Sequence, residues 1–513
     1  MPTLNWIGKE EVINHDKEVP FKLFREVKSL SVGNNSQNLI IHGDNLEALK
    51  ALMPYYKGKI NCIYIDPPYN TGYEGWTYSD KVNSPKILKW FKEKTSVKAD
   101  DLTRHDKWLC MIYPRIKLLK ELLHEDGVIF INIDDNEQAH LRLALNEIFG
   151  EENFESFIWK KKGGAGNTEK IIGNLTEYIL CYFKNKRPGI FNYRNLERDY
   201  KCKDEIGPYN LAGIEKTNRG VYERKTMRAP IIDPKTGKKF YPKENMRWTI
   251  GAKSVKEASE RNELYFDYKK KKVYAIKRPE DYEKSENVYY NLLLDVGSLA
   301  TAKNELQKLG FDRELFDTPK PVDLIKRLLE ISTNKDSVIL DSFSGSATTG
   351  HAVMQLNKED GGKRKFILIE MEDHVAKDIT AERIKRAIKK YDYKEGFEYC
   401  ELDKPLFDEN RQIDKSCSFE QLATYIYFTE TRNNINKKKI LNNFVGNSEN
   451  GEIEFYLIFK EIKNNLLTSK FLKKLKKDGK RKIIYADQCL LSDKEMKEYN
   501  IQFKQIPYEV EKY

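Results

Sequence analysis

Val338-Ile339-Leu340-Asp341-Ser342-Phe343-Ser344-Gly345-Ser346-Ala347-Thr348-Thr349-Gly350 is the stretch on which the reading of the fold turns. Its apolar start reads as a buried strand, its run of small residues as a tight turn, and the residues from about Thr348 as the opening of a helix. Gly, Ser and Ala in such a turn leave room for a ligand to approach backbone N–H groups. The next strand, Phe366-Ile367-Leu368-Ile369, ends on Glu370, about 25 residues past the turn, where a carboxylate can accept both ribose hydroxyls of a nucleoside. In form this is a nucleoside-cofactor site, and an ordinary tight strand-to-helix turn is its alternative. The departure from G-x-G-x-x-G disfavours a dinucleotide.

The same grammar recurs upstream. Leu39-Ile40-Ile41 is a short strand, His42-Gly43-Asp44-Asn45 a turn, and Leu46, Leu49, Ala51 and Leu52 a helical stripe. Ile60 to Ile65 is a second apolar strand, stopped by Asp66-Pro67-Pro68-Tyr69-Asn70 because two prolines end any regular element. Apolar residues from Trp108 to Leu123 fall at helical spacing, Val128 to Ile133 is a third strand, and Asp134-Asp135-Asn136-Glu137 starts a helix that buries Leu141, Leu145 and Ile148. Strand and helix alternate again after Thr318, with a helix from Val322 to Ile331. The alternation predicts an α/β fold around a mostly parallel, doubly wound sheet. Between about Phe157 and Glu314 the pattern degrades into a stretch rich in Lys, Arg, Asn, Tyr and Gly, which reads as an irregular insertion. After Tyr391 a further unit carries strands near 453–459 and 483–485 and a Lys-rich, helix-like stretch from Lys463 to Lys477.

Composition narrows the function classes. The chain has 513 residues, is 40% hydrophobic and 12% aromatic, and carries a net charge of +11. That is too apolar for a disordered chain, and the excess of base permits a polyanionic partner without demanding one. The seven cysteines lie far apart, with no C-x-x-C pair, so a reducing compartment and a cytoplasmic location are expected. Neither a signal peptide nor a membrane-spanning run is expected. His105, His140 and His351 fit no metal spacing with neighbours, and no metal site is expected.

Asp66-Pro67-Pro68-Tyr69 sits just past a buried strand, at the carboxyl edge where open α/β sheets bind ligands. Pro-Pro holds the backbone and turns carbonyls outward. A carboxylate, a fixed carbonyl and an aromatic ring together suit a planar base bearing an amino group: the first two accept its N–H bonds and the ring stacks on its face. A plain Pro-rich turn is the structural alternative.

Taken in order, these fragments resemble something specific. Asp66-Pro67-Pro68-Tyr69 followed far downstream by Phe343-x-Gly345 is similar to the amino-group DNA methyltransferases that use S-adenosylmethionine, in the beta arrangement with the catalytic motif first. Ile63 to Gly72, His42-Gly43-Asp44-Asn45, Asp134 to Glu137, Thr318-Pro319-Lys320-Pro321 and Ile506-Pro507-Tyr508-Glu509 extend the resemblance to the modification (Mod) subunits of type III restriction-modification systems. The resemblance implies a Rossmann-like methyltransferase fold and a residue-by-residue site. Asp66 and the Pro67 carbonyl, with Pro68 holding the loop, would grip the target amine, and Tyr69 would stack on a flipped adenine. Asp341, Phe343, Gly345 and Ser346 would line the cofactor, Glu370 would hold its ribose and Asp44 its adenine, with Lys320 and Pro321 closing the pocket. Ala347 replaces the family's usual second Gly, placing a methyl group near the cofactor.

The domains implied are an N-terminal arm (1–37), a catalytic half (38–159), a target-recognition insertion (160–314), a cofactor half (315–395) and a C-terminal α+β domain (396–513) for oligomer or partner contacts. The expected activity is site-specific methylation of adenine N6 in double-stranded DNA, with a homodimer and a helicase-nuclease restriction subunit as partners. No P-loop of the form G-x-x-x-x-G-K-[ST] is present, so cleavage would come from another chain. Two alternatives stay open: cytosine-N4 methylation on the same scaffold, and a DNA-binding specificity subunit with a dead transferase site, against which the intact Asp66 to Tyr69 motif stands.

Overall fold

The structure is a computed structural model that describes residues 3–33, 36–71, 104–164, 172–194, 199–217, 225–283, 288–408, 410, 412–414, 416–435, 440–460, 465–507 and 510. Gly72, Tyr508, Glu509 and the start of the Lys463 to Lys477 stretch lie outside the described residues. The chain divides into two compact units, one formed by 1–192 with 290–513 and one by 193–289.

The first unit is built on β1 (Lys22–Glu26), β2 (Leu39–His42), α1 (Asn45–Tyr56), β3 (Ile60–Ile65), α2 (Arg104–Leu122), β4 (Leu123–Ile133), α3 (Gln138–Phe149), β5 (Phe154–Lys160) and β6 (Thr176–Phe183). After the second unit come β7 (Leu292–Leu293), α4 (Leu299–Lys308), α5 (Val322–Ser332), β8 (Val338–Asp341), α6 (Thr348–Asp360), β9 (Lys365–Glu370), α7 (Glu382–Tyr391) and β10 (Glu398–Pro405). The ten strands form one sheet in the order β1-β10-β2-β9-β8-β3-β4-β6-β5-β7. From β10 to β4 all neighbours are parallel. β1 closes one edge antiparallel to β10, and β6 runs antiparallel between β4 and β5.

Parallel strands covered on both faces need apolar residues on both faces, which is why β3, β8 and β9 read as continuous apolar runs. β9 shows the two layers. Ile367 and Ile369 join the core packed by α1 and α2, while Phe366 and Leu368 face Gly350 on α6. The register sets Leu340 beside Ile63 and Asp341 beside Leu368, so the loops after β3, β8 and β9 leave the same edge of the sheet. The expected mixed, mostly parallel, doubly wound sheet is the architecture found.

Several boundaries differ from the reading of the sequence. Residues 22–26 of the expected arm are an edge strand, whose partner β10 lies near the opposite end of the chain. The separate unit, 193–289, is narrower than the expected insertion, because β6, β7 and α4 belong to the first unit. β6 is an apolar run inside a polar stretch, and its pairing with β4 makes it a core strand. The second unit folds around Ile214, Ile231, Phe240, Trp248, Leu264 and Val273. In the C-terminal part, α8 (Phe419–Thr431) precedes a four-stranded sheet, β11 (Phe444–Asn447), β12 (Ile453–Leu457), β13 (Arg481–Ala486) and β14 (Ile501–Gln505). Among its described residues, the Lys-rich stretch between β12 and β13 is helical at Ser469–Leu472, and like charges three and four residues apart oppose a longer helix. Among the described residues no helix is long and apolar enough to cross a membrane, and all seven cysteines are free.

Candidate active site

At the carboxyl ends of β3, β8 and β9 lies a cleft of about 840 Å³ whose walls come from both halves of the first unit. Adjacent parallel strands deliver the Asp66 loop and the Asp341 turn to one place, although more than 250 residues separate Asp66 from Lys320, whose Nζ lies 2.7 Å from Asp66 Oδ2.

On the cofactor side, the turn after β8 is held from several directions. Asp341 Oδ1 accepts the Phe343 N–H at 3.0 Å and Oδ2 accepts the Thr349 hydroxyl at 2.5 Å. Burial pushes the Asp341 carboxyl up to about 7, against the pull of those two donors. Glu370 accepts the Gly345 N–H at 2.8 Å and the Met371 and Glu372 N–H groups at 2.9 and 3.1 Å, and burial raises it too. Gly345 has φ +45°, and a Cβ there would lie 2.9 Å from the tip of the Phe316 ring, so the position favours glycine. Behind the turn, a π-helical segment (Val375–Ala381) leads into α7 and aims two residues back. The Thr380 hydroxyl donates to the Gly345 carbonyl at 2.6 Å, and the buried Arg383 donates to the Ser346 carbonyl at 2.9 Å and to Thr348 Oγ1 at 2.8 Å. Burial draws the Arg383 guanidinium down to about 10.

A small-residue cradle, acidic groups suited to ribose hydroxyls and to a cationic ligand, and a buried Ser344 hydroxyl without a hydrogen-bond partner fit S-adenosylmethionine. Ala347 is buried and is not part of the cleft wall. Its methyl group acts on the backbone instead, since φ is +60° there, a conformation that favours glycine.

On the target side, Pro67, Pro68 and Tyr69 line the cleft, and the Trp108 indole N–H donates to the Pro68 carbonyl at 2.6 Å. The Tyr69 hydroxyl lies 2.7 Å from Asp66 Oδ1 and 3.0 Å from Glu177 Oε2. Lys320, fixed between two prolines, sets its ammonium over the Tyr69 ring, 5.2 Å from the centroid. Burial raises the Asp66 carboxyl, with Lys320 pulling it back and Glu177 pushing the same way as burial. Burial alone would lower the Lys320 ammonium, but Asp66 and Glu177 outweigh it and hold it above its ordinary range.

The loop is anchored next door. Asn70, with φ +59°, donates to the buried Glu137 carboxylate, which also meets His105 Nδ1 at 2.6 Å and His140 Nδ1 at 2.9 Å. The expectation that His105 and His140 fit no metal spacing with neighbours did not foresee this cluster. Two imidazoles and a carboxylate could hold a metal ion, although these separations are hydrogen-bond lengths and the carboxylate is already engaged.

Asp66, Pro67, Pro68, Tyr69, Lys320, Asp341, Phe343, Gly345, Ser346 and Glu370 all line the one cleft. Asp44 and Pro321 do not. The Asp44 carboxylate caps α1 through the Leu46 and Glu47 N–H groups and pairs with Arg115 at 3.3 Å, and Pro321 is the N-cap residue of α5. Lys320 meets the catalytic loop rather than only closing the cofactor side. Sequence reading missed Trp108, Asn132, Glu177, Thr380 and Arg383. None lies in a contiguous motif with the residue it touches, and the one visible signal was a polar Glu177 at the head of an apolar run.

Residues 60–382 match the family model described as DNA methylase. The chain is 34% identical to the Mod subunit of the type III restriction-modification enzyme EcoPI from Escherichia phage P1, over 76% of this chain and 68% of that one. It is 33% identical to the StyLTI Mod subunit from Salmonella typhimurium, over 70% of this chain and 56% of that one, so it spans between about half and two thirds of these relatives. The solved structure of TTHA0409 from Thermus thermophilus, described as a putative DNA modification methylase complexed with S-adenosyl-L-methionine, matches 71% of this chain and 98% of that one at 15% identity with a TM-score of 0.34. With the two motifs meeting in one cleft and the family match across most of its length, the chain belongs to the DNA methylases, among the type III Mod subunits, and is a DNA methyltransferase.

Proposed function

We propose that the chain methylates the exocyclic N6 of an adenine flipped out of double-stranded DNA, as the modification and specificity subunit of a type III system. The observation that carries this is the convergence of Asp66-Pro67-Pro68-Tyr69 with the Asp341 to Ser346 turn in one cleft. When bound, S-adenosylmethionine supplies an electrophilic methyl group. Phe343, Gly345, Ser346, Asp341 and Glu370 hold it in the turn.

An adenine amine is a weak nucleophile because its lone pair is delocalised into the ring. The Asp66 carboxylate and the Pro67 carbonyl accept its two N–H bonds, which favours a pyramidal nitrogen and localises that pair. The Tyr69 ring stacks on the extruded base and offsets part of the cost of unstacking it. Fixing both partners in one cleft supplies much of the rate. Recognition of the DNA site belongs to the 160–314 region, whose Lys, Arg, Asn and Tyr content suits phosphate and base-edge contacts. A homodimer and a restriction subunit that cuts DNA are the partners proposed, on family analogy.

The test is transfer of labelled methyl groups to duplex DNA, followed by digestion to nucleosides and mass spectrometry. N6-methyladenine is the expected product. N4-methylcytosine would replace the substrate assignment, and site-specific DNA binding with no transfer would replace the enzymatic one.

A further inference from the structure

Both oxygens of the catalytic carboxylate are occupied before any base arrives. Asp66 Oδ1 takes the Tyr69 hydroxyl at 2.7 Å and Oδ2 takes the Lys320 ammonium at 2.7 Å. Each carboxylate oxygen can accept a second hydrogen bond, but an incoming amine competes with these donors for the lone pairs of Asp66, and a buried ammonium or hydroxyl displaced without another acceptor is unfavourable. A second acceptor stands beside them. Glu177, buried on β6, has Oε2 3.0 Å from the Tyr69 hydroxyl and 3.7 Å from Lys320 Nζ. It is itself held in place: Asn132 Nδ2, on β4, donates to Oε2 at 2.9 Å, and Lys161 Nζ lies 3.3 Å from Oε1.

We propose that Glu177 is a positioning residue for methyl transfer, the acceptor to which Lys320 and the Tyr69 hydroxyl move when Asp66 turns to the target amine. The exchange needs only small movements, because Glu177 already touches one donor and lies just beyond hydrogen-bond reach of the other. It keeps the ammonium paired at every stage, and it frees Tyr69 to set its ring against the base. Glu177 acts through Asp66, Tyr69 and Lys320 and not on the reacting nitrogen. This inference rests on the adenine-methylation reading above.

Glu177→Gln keeps the shape of the side chain and removes its charge. The expected result is a fall of at least about tenfold in the single-turnover methyl-transfer rate, with S-adenosylmethionine and duplex DNA still binding within about threefold of the parent. The charged and titratable groups that face Asp66 are Tyr64 on β3, Tyr69 on its own loop, Glu177 on β6, Lys320 before α5 and Asp341 on β8. Removing one anion from this set eases ionisation of Asp66, so the acid limb of the rate profile should move to lower pH in Glu177→Gln, and Glu177→Asp should recover part of the rate. A variant that transfers at the parental rate overturns the proposal. So does one that loses cofactor binding along with activity, or one that slows with an unchanged pH profile, because each marks a purely structural Glu177. If the parent protein itself makes no N6-methyladenine, the functional reading fails instead.

Discussion

At the scale of single residues, the site separates holding from gripping. Asp66→Ala removes the carboxylate that accepts the amine, and Tyr69→Ala removes the ring that receives the base. Each is expected to lower the transfer rate by about 100-fold or more, while binding of duplex DNA in a gel-shift titration changes little; DNA binding lost as severely as activity would count against these roles. Asp341 gives a second residue-level expectation through pH. Its folded value of about 7 lies above the ordinary carboxylate value of 3.8. Its contribution to stability is therefore complete below the ordinary value and is lost as pH rises through about 7. A cation-bearing cofactor favours the ionised form, so binding has the opposite trend, and S-adenosylmethionine affinity measured calorimetrically should strengthen from pH 6 to pH 8 and level off above. Asp341→Asn should flatten that profile. Ala347 adds a third expectation. With φ at +60°, Ala347→Gly should relieve about 1 kcal/mol of backbone strain, seen as a higher melting temperature, with cofactor affinity unchanged because the methyl group does not face the cleft.

At the scale of elements, the cofactor turn depends on what is packed behind it. The π-helical segment before α7 carries Thr380 to the Gly345 carbonyl and leads directly into α7, whose Arg383 reaches the Ser346 carbonyl, so a backbone irregularity far along the chain shapes the turn that faces the ligand. Arg383→Met fills a similar volume and leaves the Ser346 carbonyl and the Thr348 hydroxyl short of a donor, a loss of about 1–3 kcal/mol. Weaker cofactor binding by about tenfold or more should follow in the same calorimetric titration, whereas the transfer rate at saturating cofactor should change less. The catalytic loop has a comparable support in Glu137, which ties Asn70 to the starts of α2 and α3.

At the scale of the molecule, the residues that line the cleft are confined to one body. The described residues that line it all belong to the first unit. Exchanging 193–289 for the corresponding part of a related Mod subunit should therefore change which DNA site is methylated without abolishing transfer, as read by sequencing of modified DNA. An unchanged preference would place recognition outside 193–289. A net charge of +11 adds a sequence-independent attraction to DNA, so affinity for nonspecific duplex should fall steeply as salt rises.

Much of this was legible in the order of residues because apolar runs and turn chemistry are local. Val338 to Leu340, the small-residue turn after it and the Pro-Pro stop after Ile65 each announce a strand end with room for a ligand. Pairing across the chain was not legible in that way. That β8 lies beside β3, that residues 22–26 close the sheet edge, and that β6 is a core strand within a polar stretch all depend on partners far away in the chain. The site divides along the same line. The residue types of Asp66, Tyr69, Phe343 and Glu370 declare their chemistry in sequence, whereas Glu177, Trp108 and Arg383 acquire theirs only by proximity. Asp44 shows the converse, since its carboxylate is spent on a helix N-terminus and on Arg115 and not on the cleft. Local propensity selects the elements, but burial and long-range hydrogen bonding select which side chains meet.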